Sequence, residues 1–317
     1  MRKLSIFISV LLVLLLVFSL PGFSKYPDRP ITIVVYTSPG GAIDITSRLI
    51  ANIAKKYVDV PVVVENKKGA GGIVATQYVL SKPADGYTIF GMTSSVISST
   101  IKGKRTANLD KLYYLAMMVK DYECLITNKR LKVVTFEDII KDAKAKNGKQ
   151  LWVGPAAGGT DHIFAMKVWR ATGIKAKWIP YKGGSKAIAA LLGGHGVVYV
   201  GNPQDTIGRP DLFVAAVASP KRLKGFEDSP TFRELGYDEL TGEVLWRGYA
   251  LKKGTPRDRI EFLEDLFEKV SKDPEWIAFV EKGSMEPVFI KGVEFAKAVV
   301  EQKVKDTAFL KKAGLIK

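Results

Sequence analysis

Ile31-Thr32-Ile33-Val34-Val35-Tyr36-Thr37-Ser38-Pro39-Gly40-Gly41-Ala42-Ile43-Asp44 passes from an apolar run through a Gly-Gly turn into a helix. The apolar run at 31–36, bounded by turn residues, reads as a buried strand. From Asp44 to Tyr57 the residues Ile45, Leu49, Ile53 and Ala54 fall on one helical face. A second loop of this kind is Val153-Gly154-Pro155-Ala156-Ala157-Gly158-Gly159-Thr160-Asp161-His162. A Gly-Gly turn at a helix start exposes backbone N–H groups that have no partner within the helix. The helix dipole adds partial positive charge there, so each loop suits a carboxylate or phosphate. Two such loops, far apart in the chain, suggest two half-sites closing on one small anion.

Working outward, 60–64 reads as the next buried strand. Gly69-Ala70-Gly71-Gly72 opens a helix over 73–80, and Pro83-Ala84-Asp85-Gly86 is a turn before a strand at 87–92. This βαβαβ pattern implies a parallel, doubly wound sheet. The middle repeats the style, with strands at 151–153, 177–181 and 197–200, and helices at 136–146, 161–171 and 186–192. A strand at 214–218 follows, and then loops at Ser219-Pro220 and Ser229-Pro230 before a helix start at Thr231. The end is helical, at 256–271 and 293–311, with Asp273-Pro274 as a helix start between them. A strand at 247–251 carries the chain back to its first part. Two crossings, at 115–128 and 246–252, make a double hinge between two lobes, which places a site in the cleft.

The 317 residues, 47% of them apolar, suffice for two domains with real cores. Residues 1–24 stand apart. Arg2 and Lys3 precede the apolar run 4–20, and Pro21-Gly22-Phe23-Ser24 offers small residues for cleavage after Ser24. That is the pattern of a secretory signal peptide, with an uncleaved anchor as the alternative. The expected organisation is a signal peptide at 1–24, one lobe from 25–123 plus 248–317, and the other from 124–247. The single Cys124 permits no internal disulfide and lies in an apolar run, so it reads as a small buried residue. The formal charge of +16 suggests anionic partners. The lysines are spread out, with no basic run interleaved with aromatics, which argues against nucleic acid.

Several chemistries fail on spacing. The first loop lacks the G-x-G-x-x-G of a dinucleotide site, although Glu65 sits where the ribose-binding acid would. Asp44 at its helix start would repel a pyrophosphate. Asp44 is either a helix-start charge paired with Arg48, or an acceptor for ligand hydroxyls and waters. Thr160-Asp161-His162 cannot be a triad, because helix neighbours point in different directions. His162 reads as structural. Two histidines, His162 and His195, give no metal-site spacing. Lys182-Gly183-Gly184-Ser185 and Met92-Thr93-Ser94-Ser95 are further polar turns at strand ends, where open α/β sheets bind ligands.

These residues and their order resemble a known family. Tyr26-Pro-Asp-Arg-Pro-Ile-Thr-Ile-Val-Val35, Ser38-Pro-Gly-Gly-Ala-Ile-Asp44, Val62-Val-Val-Glu-Asn66, Gly69-Ala-Gly-Gly72 and Ala84-Asp-Gly-Tyr-Thr88 come first. Gly158-Gly-Thr-Asp-His162, Pro180-Tyr-Lys-Gly-Gly184, Ala190-Leu-Leu-Gly-Gly194, Trp246-Arg-Gly248 and Lys253-Gly-Thr-Pro256 follow. Together they are similar to the substrate-binding receptors of tripartite tricarboxylate transporters, the Bug or TctC type. The resemblance implies an α/β, two-lobed, type II periplasmic binding fold closing on a small carboxylate, with a citrate-like tricarboxylate or a dicarboxylate as the leading guess. It implies ligand contacts at Ser38, Gly40, Gly41 and Asp44, and at Gly159, Thr160 and Asp161. Thr93, Ser94 and Ser185 follow more loosely. No cofactor, metal or catalysis is expected. The implied partner is a membrane permease, the location extracytoplasmic and the state monomeric. Ala42, Gly194-His195-Gly196-Val197-Val198 and Gly201-Asn202 depart from the family's usual pattern. The alternatives are a secreted, hydrolase-like α/β enzyme and a sensor docking on a signalling protein.

Overall fold

Strand β1 (Ile31–Val35) lies in the interior of a computed structural model that describes residues 26–316. The expected signal peptide and its cleavage point fall outside those residues. Helix α1 (Ala42–Ala54) follows β1, and β2 (Val62–Asn66) pairs with β1 in parallel. Helix α2 (Ile73–Ser81) leads to β3 (Thr88–Thr93), parallel to β1 on its other side. The expected βαβαβ unit is therefore present. Its apolar strands are covered by helices on both faces, which is why they read as continuous rather than alternating.

Helix α3 (Ser94–Lys102) then starts within the polar turn read at Met92–Ser95. Its serines and threonines are weak helix formers, but Val96, Ile97 and Ile101 are buried, and packing overrides propensity. Strand β4 (Leu112–Tyr122) completes the outward path, and Glu123 alone separates it from β5 (Cys124–Asn128) in a second sheet. Helix α4 (Phe136–Lys146), β6 (Gln150–Pro155), α5 (Thr160–Thr172), β7 (Ala176–Tyr181), α6 (Gly184–Leu192) and β8 (Val198–Gly201) repeat the βα alternation. After β9 (Leu212–Val217) no helix starts at Thr231. Thr231 and Glu234 do exchange the hydrogen bonds of a capping box, but Gly236 at φ 86° ends the turn.

Strand β10 (Val244–Lys252) returns to the first sheet, entering at Val244, ahead of the boundary expected at 247/248. Helices α7 (Arg257–Lys272) and α8 (Pro274–Lys282) follow, and Asp273 caps α8 by accepting from the Glu275 N–H. Strand β11 (Glu286–Lys291), unforeseen because Pro287 interrupts it, sits at the sheet edge where a missing N–H is tolerated. Helix α9 (Gly292–Lys312) closes the described chain.

The sheets run β11-β4-β10-β3-β1-β2 and β7-β6-β8-β5-β9. Both are mixed rather than purely parallel. Strands β4, β10 and β11 pair antiparallel in the first, and β5 pairs antiparallel with β8 and β9 in the second. Each sheet is packed on both faces, with Phe267 and Trp276 opposite Phe90 and Phe295 in the first. Trp152 and Phe164 lie opposite Tyr199 in the second. Each such side chain contributes about 1.5–3 kcal/mol by leaving water. Cys124 is fully buried, as expected, and burial pushes its thiol up. Among the described residues, no helix is long and apolar enough to cross a membrane.

Candidate functional site

The glycine loops converge. A cavity of about 700 Å³ is lined by Ser38–Gly41 after β1, Gly159 before α5 and Gly183–Ser185 at the start of α6. Gly69–Gly71 and Thr93, from the first sheet's side, also line it. Helices α1, α5 and α6 have Gly41, Gly159 and Gly183 as N-caps, none of which offers a side-chain cap. At α5 the Thr160 N–H donates to Ser95 Oγ and the Asp161 N–H to its own carboxyl, while the first N–H groups of α1 and α6 are left to a guest or water. Three helix N-termini thus aim partial positive charge at one space. Lys68, Lys182 and Lys186 add full charges around it.

The first loop needs its glycines. Gly40 has φ 80°, and a Cβ on Gly41 would lie 2.8 Å from Thr37 Cβ. Asp44 holds the loop from behind. Its carboxylate accepts from the Gly40 N–H (2.8 Å), the Asn66 amide (2.8 Å) and Arg48 Nε (3.1 Å). It is 1% exposed and does not line the cavity. Burial alone would raise its pKa, but the hydrogen bonds from Arg48, Asn66 and Gly40 hold it below the usual carboxylate value.

The second loop is built on His162, whose Nδ1 accepts from the Gly158 N–H at 2.9 Å. The imidazole stacks on Trp178 at 4.8 Å between ring centroids, and burial and Lys102 push its pKa down to about 4. It is a neutral structural group, as expected. Gly158 has φ 82°, and a Cβ there would run into the Lys102 side chain, which donates to the Ala157 carbonyl at 2.9 Å. Thr160 turns away from the cavity. It shares a hydrogen bond with Ser94 (2.9 Å), accepts from Ser95 Oγ (3.1 Å), and returns its N–H to that oxygen (3.2 Å). This joins the N-terminus of α5 to that of α3 across the two lobes. Ser185 Oγ donates to the Gly40 carbonyl at 3.4 Å, a second link across the cleft.

Of the residues singled out from sequence, Ser38, Gly40, Gly41, Thr93, Gly159, Asp161 and Ser185 line the cavity. Asp44, Ser94 and Thr160 support it from behind. Sequence reasoning missed Tyr36, Ser95, Ser99, Asn202 and Asp205, which also line it. Asn202 and Asp205 lie in the poorly patterned stretch after β8. Their only sequence signal is Asn202-Pro203 at a strand end, followed three residues on by an acid.

The floor is acidic. Asp161 and Asp205 line it; Asp121 and Glu123 are fully buried beside them. Arg247, also fully buried, donates to Asp121 at 2.5 Å. Asp205 accepts from Tyr199 Oη (2.8 Å) and the Asn202 N–H (3.2 Å). Burial lifts Asp161 to about 7, reinforced by the charges of Asp205 and Asp121 and opposed by its own backbone N–H. Asp121 also rises to about 7 through burial, despite Arg247. Among the described residues both Glu123 oxygens lack a hydrogen-bond partner, and burial with the neighbouring acids raises its pKa well above normal. Among the described residues there is no cluster of His, Cys, Asp and Glu fit to hold a metal ion.

With this geometry in view, the known proteins resembling the chain can be placed. The family model described as "Tripartite tricarboxylate transporter family receptor" matches residues 46–315. The chain belongs to that family. A Cupriavidus necator relative, described as "UPF0065 protein in gbd 5'region", is 30% identical over 92% of this chain and 90% of its own length. Protein BugT of Bordetella pertussis is 32% identical over 73% of this chain and 72% of its own length. A solved structure titled "Structure of a periplasmic transporter" superimposes with TM-score 0.86 at 27% identity, covering 92% of this chain and 99% of that one. The two-lobed binding-protein fold and the Bug-type membership read from the motifs are thereby established.

Proposed function

We propose that this receptor captures a small carboxylate outside the cytoplasm and delivers it to the membrane permease of a tripartite tricarboxylate-type transporter. The observation that carries the reading is the convergence of three glycine-capped helix N-termini on one cavity between the lobes. The amides of Ala42 and Ile43 at the start of α1, and those of Gly159 and Gly184, grip the ligand carboxylate, with Ser38, Thr93 and Ser185 adding hydroxyl partners; Gly40 and Gly41, whose N–H groups donate to Asp44 and to the Ser38 carbonyl, shape the turn. Asp44, Ser94 and Thr160 position these loops. The ligand selects the closed arrangement because only there do both lobes contact it, and the closed surface docks on the permease. Di- and tricarboxylates, citrate included, are the first compounds to test, and the receptor acts as a periplasmic monomer without catalysis.

The deciding experiment strips co-purified ligand by unfolding and refolding the mature protein, then follows melting across a panel of small carboxylates. A ligand at a hundred times its Kd adds about 2.7 kcal/mol of stability and a clear rise in Tm. If no small carboxylate shifts the melting point, the reading fails.

A further inference from the structure

The glycine loops account for one end of a ligand. The other end meets carboxyl groups, a poor match for a purely anionic guest. Asp161 lies only two residues beyond the amide of Gly159, on the same cavity wall. Its carboxyl is 4% exposed, and among the described residues only its own backbone N–H supports it. The neighbouring charges that act on it are those of Asp205 and Asp121, both of like sign. Asp205 lines the same floor. Two cations act on Asp205: Arg247, which is already committed to Asp121 and also donates to Met285 Sδ at 3.0 Å, and Arg209, which donates to the Asp205 backbone carbonyl at 2.8 Å. Neither lines the cavity. The lysines that do, Lys68, Lys182 and Lys186, lie on loops at the glycine turns.

We infer that this floor is an ammonium subsite: the ligand is an amino-bearing carboxylate, with its carboxylate on the glycine amides and its protonated amine donating to Asp161 and Asp205. The inference rests on the carboxylate-receptor reading and narrows it. An α-amino acid separates its two charged groups by a single carbon, and Gly159 and Asp161, two residues apart at one helix start, both line the cavity. The ammonium also supplies the positive charge that a group of four carboxyls, three of them buried, and one buried guanidinium lacks. In its absence protons supply that charge, consistent with the raised pKa values of Asp161 and Glu123. A guest without the amine instead brings a second negative or an apolar group against these acids.

The test is calorimetric titration of the stripped, refolded mature protein with matched pairs at pH 8. The pairs are L-aspartate and succinate, L-glutamate and glutarate, L-leucine and 4-methylvalerate, and L-phenylalanine and 3-phenylpropionate, with citrate alongside. In the pair that binds, the aminated member should be at least about tenfold tighter. Asp161→Asn should collapse the preference to within about threefold while the deaminated partner still binds, which shows the variant folded. Equal or tighter binding of the deaminated member, or of citrate alone, would overturn the ammonium subsite and leave the receptor reading intact. A preference that survives Asp161→Asn combined with Asp205→Asn would also overturn it. If no carboxylate of either series binds, the receptor reading itself fails.

Discussion

Asp44 illustrates how a residue's neighbours decide between two roles left open by its position in the chain. At a helix start it could have faced a ligand or served the loop. Three donors converge on its buried carboxylate, so it serves the loop. Asp44→Ala leaves the Gly40 N–H and the Asn66 amide without that acceptor. The expected cost is about 1–3 kcal/mol of stability, together with weaker ligand binding as the turn loosens. Because the folded protein holds this carboxyl below its ordinary value, its contribution is complete above the unfolded pKa of about 3.9. It disappears as pH falls through the folded value. The Tm gap between wild type and Asp44→Asn, measured from pH 7 to 3, should therefore shrink in acid. A gap that widened in acid would contradict this account.

Helix α3 is an element of which only the opening turn, Met92–Ser95, was legible in the sequence. Ser94-Ser95 and Ser98-Ser99 carry little helical propensity. The helix exists because Val96, Ile97 and Ile101 fill the space beneath it and Ser98 donates to the buried Asp306 of α9 at 2.7 Å. Its exposed-looking hydroxyls turn out to be a clasp, with Ser94 and Ser95 meeting Thr160 at the start of α5. Thr160→Val keeps the shape and removes the hydroxyl, leaving two buried serines short of a partner. Unfolding in urea should report a loss of about 1–3 kcal/mol. A neutral substitution would show that the clasp contributes nothing to holding the two helix starts together.

At the scale of the whole molecule, the two lobes are joined where the buried acids gather. Glu123 is the one residue between β4 and β5, and its backbone is tied to both sides: its N–H donates to the Glu243 carbonyl (3.0 Å) and its carbonyl accepts from Ala218 (2.8 Å). Its side chain, by contrast, has no hydrogen-bond partner among the described residues. A carboxyl whose folded pKa is raised binds more protons folded than unfolded, so it costs stability as pH rises above its unfolded value. Glu123→Gln removes that cost. Thermal unfolding should show the variant more stable than wild type at pH 8, by about 1 kcal/mol or more, with the advantage fading toward pH 4. A variant less stable at pH 8 would mean that Glu123 has a role as an ion.

What the sequence determined by itself is local and periodic. The apolar strands, the glycine-marked helix starts and the proline at the start of α8 each depend on residues close in the chain. They could be read directly, as could the family that combines them in this order. Even the choice of loops was legible, since a Gly-Gly turn between strand and helix has few other uses. Only the tertiary structure decided which side chain of each loop faces the guest. Asp44 and Thr160 turned inward because Asn66, Arg48 and the serines of α3 lie behind them. It likewise decided that the buried Asp161, Asp121 and Glu123 and the half-buried Asp205, scattered along the chain, share one floor beside the buried Arg247. Their charges act through space in a medium that screens them poorly, and that coupling has no counterpart in the linear order of residues.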